Sequence, residues 1–154
     1  MRLWRIGSAL FPVWSAEVAR LKGGRWNQPG TPAIYAATSY ASAALETLVH
    51  ANIGRVPRGF QYITIDVPDD APVERLTAAE VPGWNEIPAR ASRAAGGAWI
   101  RGRSGLVLMV PSAVTLGLDD NAVINPLHPD FERIVVGAAE AVRWDERLIE
   151  ASGR

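Results

Sequence analysis

Two short segments of this 154-residue chain place reactive side chains close together. In Gly23-Gly24-Arg25-Trp26-Asn27, paired glycines let the backbone approach a ligand closely. The arginine that follows them offers a planar fork suited to phosphate oxygens, beside a large aromatic ring. The same residues also suit an ordinary tight turn with a surface arginine and a core tryptophan. The second segment is Ser39–Asn52, whose Ser42, Glu46 and His50 recur at i, i+4 and i+8. On a helix they stack along one flank of an apolar stripe of Ala41, Leu45, Leu48 and Val49. That flank suits a cleft wall, and equally a solvated helix edge with a weak Glu–His pair.

A strand carrying Tyr35 joins the two segments, so one cleft can gather Arg25, Tyr35, Ser42, Glu46 and His50. An anion fork, an aromatic platform and a carboxylate together suit an anionic nucleotide with a leaving group on a ribose. The carboxylate would stabilise positive charge developing at the anomeric carbon.

The elements that must position these groups are legible in outline. Leu3–Ile6, Ala33–Ala36, Phe60–Val67, Leu106–Val110 and Ile134–Val136 read as strands, the last two buried. Ala16–Leu21 and Ser39–Asn52 read as helices, with Ser39 as N-cap of the second. Ala89–Arg101 reads as a weaker helix interrupted by Gly96 and Gly97. Gly23–Pro32 is dense in turn formers and reads as a structured loop. Strands and helices mix without strict alternation, which points to an α+β fold, or a mixed sheet, rather than a doubly wound one.

Composition excludes several classes. At 48% hydrophobic residues the chain can bury a core, and its length suits one domain over residues 1–154. Sixteen basic residues balance sixteen acidic ones, so there is no basic excess for coating nucleic acid. Fifteen of the sixteen are arginine, with Lys22 the single lysine. There is no cysteine, hence no disulfide scaffold, thiol nucleophile or cysteine zinc site, and a reducing cytoplasm fits. His50 and His128 form no His-x-x-x-His pair, so no metal is expected. No apolar run is long enough for a membrane span. Phosphate-loop and dinucleotide-fold glycine motifs are absent. Alone, these residues leave an RNA-cleaving protein using His50, Glu46 and Arg25 as one alternative, and a non-enzymatic interaction domain with six tryptophans as another.

The stretch GGRWNQPGTPAIYAATSYASAALET resembles the signature of the RES domain, the toxin half of RES–Xre toxin–antitoxin pairs. The likeness continues in LWRI near the start, VPSA at 110–113 and NAVINPLHPDF at 121–131, and so spans nearly the whole chain. The resemblance implies a fold like diphtheria-toxin-type ADP-ribosyltransferases: a split, mostly antiparallel sheet with flanking helices around an NAD⁺ cleft. It implies Arg25, Glu46 and Ser112 as the named arginine, glutamate and serine, with Tyr35 packing on nicotinamide. It adds Arg5 and Asn125 as further cleft residues, Ser42 and Ser112 as orienting groups, and His50 as a group serving the acceptor or the ribose. Read without it, Ser112, Asn125 and His128 suit structural turns. The implied activity is cleavage of NAD⁺ with ADP-ribose passed to a cytoplasmic protein; hydrolysis or phosphorolysis of NAD⁺ is the alternative. The implied partner is an Xre-type antitoxin that covers the cleft and carries the DNA contact. Only seven residues follow Arg147, so inhibition is expected in trans.

Overall fold

The computed structural model describes residues 1–51 and 57–150; Asn52, the expected end of the second helix, lies outside them. The chain runs β1 (Arg2–Ser8), α1 (Glu17–Lys22), β2 (Ile34–Ala37), α2 (Tyr40–His50), β3 (Phe60–Asp66), β4 (Val73–Arg75), α3 (Arg90–Gly102), β5 (Val107–Pro111), β6 (Asp120–Ile124), β7 (Val135–Val136), β8 (Glu140–Ala141) and α4 (Arg147–Glu150). A 3-10 turn, Pro129–Arg133, precedes β7.

The strands form one sheet in the order β4-β5-β6-β2-β1-β3-β7, with β8 also on β3. Among the described residues only β4–β5 is parallel. The architecture is therefore α+β with a mostly antiparallel sheet. The β1–β3 ladder runs seven pairs, from Arg2↔Asp66 to Ser8↔Phe60, whereas β1 and β2 meet at the single pair Trp4↔Ala37. The sheet splays at that joint, and side chains from both halves face the gap.

Strand β5 is buried along its whole length, so its two faces feed two cores. Val107 and Met109 join Leu3, Ile34, Ile63, Ile65 and Ile124 in one. Leu108 and Val110 join Trp26, Trp84, Trp99, Ile100 and Val123 in the other.

Three sequence expectations are corrected. Helix α3 is continuous: Gly96 and Gly97 are buried in it rather than interrupting it. A Cβ on Gly96 would collide with the Trp26 carbonyl, so the missing side chain lets α3 seat directly on the glycine-rich loop. Second, α2 does not bury the stripe of Ala41, Leu45, Leu48 and Val49. Its buried residue is Ala43, and Leu45 and Val49 are exposed. The helix turns its Ala43–Glu46–Thr47 side to the sheet because Glu46 finds hydrogen-bond donors there. Third, β7 is an edge strand with an exposed Val135, not a buried one. Strands β4, β6 and β8 had no sequence expectation. Of these β6 matters most, since it joins β2 to β5.

Candidate active site

Helix α2 starts as its sequence dictates. The Ser39 hydroxyl caps it by accepting the Ser42 N–H at 3.0 Å, a contact worth about 1 kcal/mol. Ser42 Oγ accepts in turn from Ser39 Oγ at 2.9 Å, so Ser42 serves the cap and does not line the cavity described below. Two turns into the helix, Glu46 points at the sheet. Its Oε1 accepts the Ser112 hydroxyl at 2.8 Å and the Asn121 amide at 2.6 Å. Ser112 directly follows β5 and is buried. Its Oγ also accepts the Thr115 N–H at 3.4 Å, which fixes the hydroxyl proton toward Glu46. Asn121 sits in β6, opposite Val110 on β5 and Ala37 on β2. Its Oδ1 is buried and has no partner among the described residues. The second glutamate oxygen stays available to a cavity of about 660 Å³.

That cavity opens where β1 and β2 splay. Glu46, Arg5, Arg25, Tyr35 and His50 all line it, with Trp4, Trp26 and Val110 among the walls. Arg5 donates to the carbonyls of Val13 and Tyr35 at 2.7 Å each, and no carboxylate pairs with it among the described residues. Burial pushes its pKa down, the mark of a cation held away from water. Arg25 Nη1 donates to the carbonyls of Trp84 at 3.1 Å and Glu86 at 3.4 Å. Those tethers hold its guanidinium while leaving Nε and Nη2 for a ligand. Two positioned guanidiniums in one cavity, with no paired carboxylate among the described residues, suit a pyrophosphate.

The glycine-rich loop is built around Tyr35. Its hydroxyl donates to Asn27 Oδ1 at 2.6 Å and accepts the Trp26 N–H at 2.9 Å. A Cβ on Gly24 would overlap the Tyr35 ring, so only glycine lets the loop close on it. Arg93 ties the loop to α3 by donating to the Gly24 carbonyl at 2.7 Å. Burial raises the Tyr35 phenol to about 12, so it stays a donor across the physiological range. The hydroxyl is committed to these loop contacts.

His50 stands at the cavity mouth with its side chain 79% exposed. Its Nδ1 lies 2.7 Å from the Glu46 carbonyl, which can only accept. The proton therefore sits on Nδ1, and Nε2 is the free nitrogen. Asn125 lies elsewhere: it is fully buried, donating to the Ile100 carbonyl at 3.0 Å and accepting the Leu127 N–H at 3.0 Å. It fastens the chain after β6 to α3. The structure thus gathers Arg5, Arg25, Tyr35, Glu46 and His50 around one cavity, with Ser112 reaching it through Glu46, and leaves Ser42 and Asn125 outside. It adds Asn121, the first residue of the NAVINPLHPDF stretch but not a site residue in the sequence reading, because Asp119-Asp120-Asn121 looks like a turn.

Comparison with known proteins shows the family. The RES domain model matches residues 2–145. The chain belongs to the RES domain family. Among RES relatives, the Prs ADP-ribosylating toxin of Sphingobium sp. (strain YBL2) is 38% identical over 139 residues, covering 88% of this chain and 86% of that protein. A protein named Toxin Res from Pseudomonas putida is 37% identical over 134 residues, covering 86% of this chain and 89% of its own. The crystal structure of the M. tuberculosis MbcT–MbcA toxin–antitoxin complex shares the fold at a TM-score of 0.74 and 22% identity, over 97% of this chain and 87% of that one.

Proposed function

We propose that this RES domain, residues 1–154, is the toxin of a toxin–antitoxin pair, acting in the cytoplasm. It cleaves the nicotinamide–ribose bond of NAD⁺ and transfers the ADP-ribose to a protein. The observation that carries this reading is Glu46, clamped by Ser112 and Asn121 in a cavity that also presents Arg5 and Arg25. The name of the Sphingobium relative, an ADP-ribosylating toxin, supports the same chemistry.

In this reading Arg25 and Arg5 hold the pyrophosphate, and the Tyr35 ring packs against nicotinamide. Glu46 accepts a hydrogen bond from a ribose hydroxyl through its free oxygen. Its charge stabilises the positive charge that develops at the anomeric carbon as nicotinamide leaves with the bonding pair. Ser112 and Asn121 keep that carboxylate aimed. The acceptor then bonds to the anomeric carbon and gives up a proton, for which the free Nε2 of His50 stands at the mouth. Water or phosphate in place of the acceptor gives NAD⁺ destruction through the same first step, and the exposed mouth at His50 admits either.

The test is nicotinamide release from NAD⁺ by purified protein. Glu46→Gln keeps the side chain's size but removes its charge, and the rate is expected to fall by about 10²–10³. An unchanged rate in Glu46→Gln would overturn the assignment. RNA degradation without nicotinamide release would replace it with nuclease chemistry.

A further inference from the structure

A second recess also has Trp4 in its lining. It has a volume of about 600 Å³ and is lined by Trp4, Tyr40, Tyr62, Glu140, Ala141 and Arg143. Nothing in the NAD⁺ chemistry uses it. Trp4 lines both spaces, so the recess and the Glu46 cavity share a residue.

The recess has an aromatic floor. Tyr40 meets Trp4 edge-on at 5.8 Å and Tyr62 edge-on at 5.2 Å, while Trp4 and Tyr62 lie 6.1 Å apart and tilted. Rings crossing at steep angles present π surface to more than one side of a guest. The side wall carries one carboxylate, Glu140, and one guanidinium, Arg143. Glu140 lies directly opposite Tyr62 in the β3–β8 ladder, and the Tyr62 hydroxyl donates to Glu140 Oε2 at 2.8 Å. That bond holds the Tyr62 phenol above its ordinary range and fixes ring and carboxylate together. Glu140 has no ion-pair partner among the described residues; Arg143, on the same rim, does not reach it. Three π systems and one unpaired carboxylate form an environment that attracts a cation.

We propose that this recess receives an arginine or lysine side chain of the protein that accepts ADP-ribose, and so sets that protein's orientation at the cavity mouth. The inference rests on the transfer reading given above. Charge complementarity selects the occupant: an acidic segment would meet Glu140 and the negative faces of the rings, and a purely apolar one would bury an unpaired carboxylate.

The probe is N-acetyl-Gly-Arg-Gly-amide, titrated by NMR into the full chain, with norleucine and glutamate versions as comparisons. The arginine peptide is expected to shift the Trp4 indole and Tyr62 signals. Glu140→Lys is expected to weaken it at least about fivefold, in line with the strength of such contacts. Arg143→Ala is expected to bind as well or better. Equal binding of the norleucine peptide, unchanged binding in Glu140→Lys, or loss of binding in Arg143→Ala would overturn the cation site. Tighter binding of the glutamate peptide than of the arginine one would also overturn it and would mark an acidic occupant. For the acceptor role, Glu140→Lys should release nicotinamide as wild type does while labelling proteins of a cell extract with ADP-ribose at least about fivefold less. Undiminished labelling overturns that role. A wild type that releases no nicotinamide overturns the NAD⁺ reading instead, and the peptide titration still decides the recess.

Discussion

Ser112 donates its hydroxyl to Glu46 across 66 residues of chain, and this bond joins the end of β5 to the inward side of α2. With the Thr115 N–H fixing the serine's other side, the hydroxyl is committed to the carboxylate before any ligand binds. Preorganisation of this kind matters because a carboxylate that must reorient during reaction stabilises charge less well.

Ser112→Ala should therefore slow turnover rather than weaken NAD⁺ binding. A hydrogen bond to a charged group is worth about 1.5–3 kcal/mol, which corresponds to about a ten- to hundredfold loss in kcat. KM should move little. Asn121→Ala should behave alike, and the double variant should cost less than the product of the two, since both act through one oxygen. A raised KM with intact kcat would make Ser112 a binding residue instead.

Arg25 gives the opposite pattern. Its guanidinium is tethered through Nη1 to the Trp84 and Glu86 carbonyls and keeps a fork for phosphate. Lysine in Arg25→Lys supplies the charge but cannot make the tether and the fork together. The NAD⁺ KM is expected to rise about tenfold or more, by steady-state kinetics. Unchanged constants would reduce Arg25 to a loop residue.

The glycine contacts predict stability. In Gly96→Ala the new Cβ meets a backbone carbonyl, Trp26, which cannot swing aside as a side chain would. The variant should lose about 1–3 kcal/mol, typical of overpacking, against the small gain alanine normally brings to a helix. Urea unfolding should show a lower midpoint with the slope unchanged. A more stable variant would mean that α3 and the loop separate easily.

These residues also show how far the sequence could be read. The Arg25 loop and the Glu46 helix were legible because local spacing carries them: paired glycines, an N-cap serine, an i, i+4 repeat. The side of α2 that faces inward was not legible. Its apolar stripe points to Leu45 and Val49, whereas Glu46 is drawn to the sheet by donors 66 and 75 residues away. Strand β6 hid for a related reason. Its polar opening, Asp120-Asn121, has the composition of a turn, and its central place comes from pairing with β2 and β5. Asn121 was missed with it. Gly96 and Gly97 looked like breaks because their requirement lies in the Trp26 backbone, not in the helix.

Tyr35 predicts a response to alkali. Its phenol is raised from 10.0 to about 12, chiefly by burial. In the unfolded chain it ionises near 10, so between the two values the unfolded state has released a proton that the folded state keeps. Its contribution to stability is complete below pH 10 and is lost as pH rises through 12. Across that window the loss should reach about 2–3 kcal/mol. Denaturant titrations at pH 9 and pH 11 should show the fall, and Tyr35→Phe should lessen it. Equal pH slopes in both proteins would mean that Tyr35 ionises freely.

The toxin reading proposed above brings with it an antitoxin, and the cavity indicates how one would bind. The cavity presents two guanidiniums, Arg5 and Arg25, with no paired carboxylate among the described residues. Its rim presents exposed apolar side chains, since Val18 and Val49 both line it and are 45% and 41% exposed. Leu45 continues that surface one turn back along α2. A protein segment with an apolar stretch for this rim and a carboxylate for the arginines would fit both features at once. A ligand that occupies the arginines excludes pyrophosphate by sharing its place, whereas one bound elsewhere leaves NAD⁺ binding intact. We therefore expect antitoxin and NAD⁺ to compete. Titrating NAD⁺ into the preformed complex should give an apparent Kd that rises in proportion to free antitoxin. Val49→Asp, at the rim and away from the reacting atoms, should weaken the complex while sparing nicotinamide release. A complex that binds NAD⁺ as tightly as the free protein would refute cleft blocking, and inhibition would then have to act on acceptor access or on the Glu46 geometry.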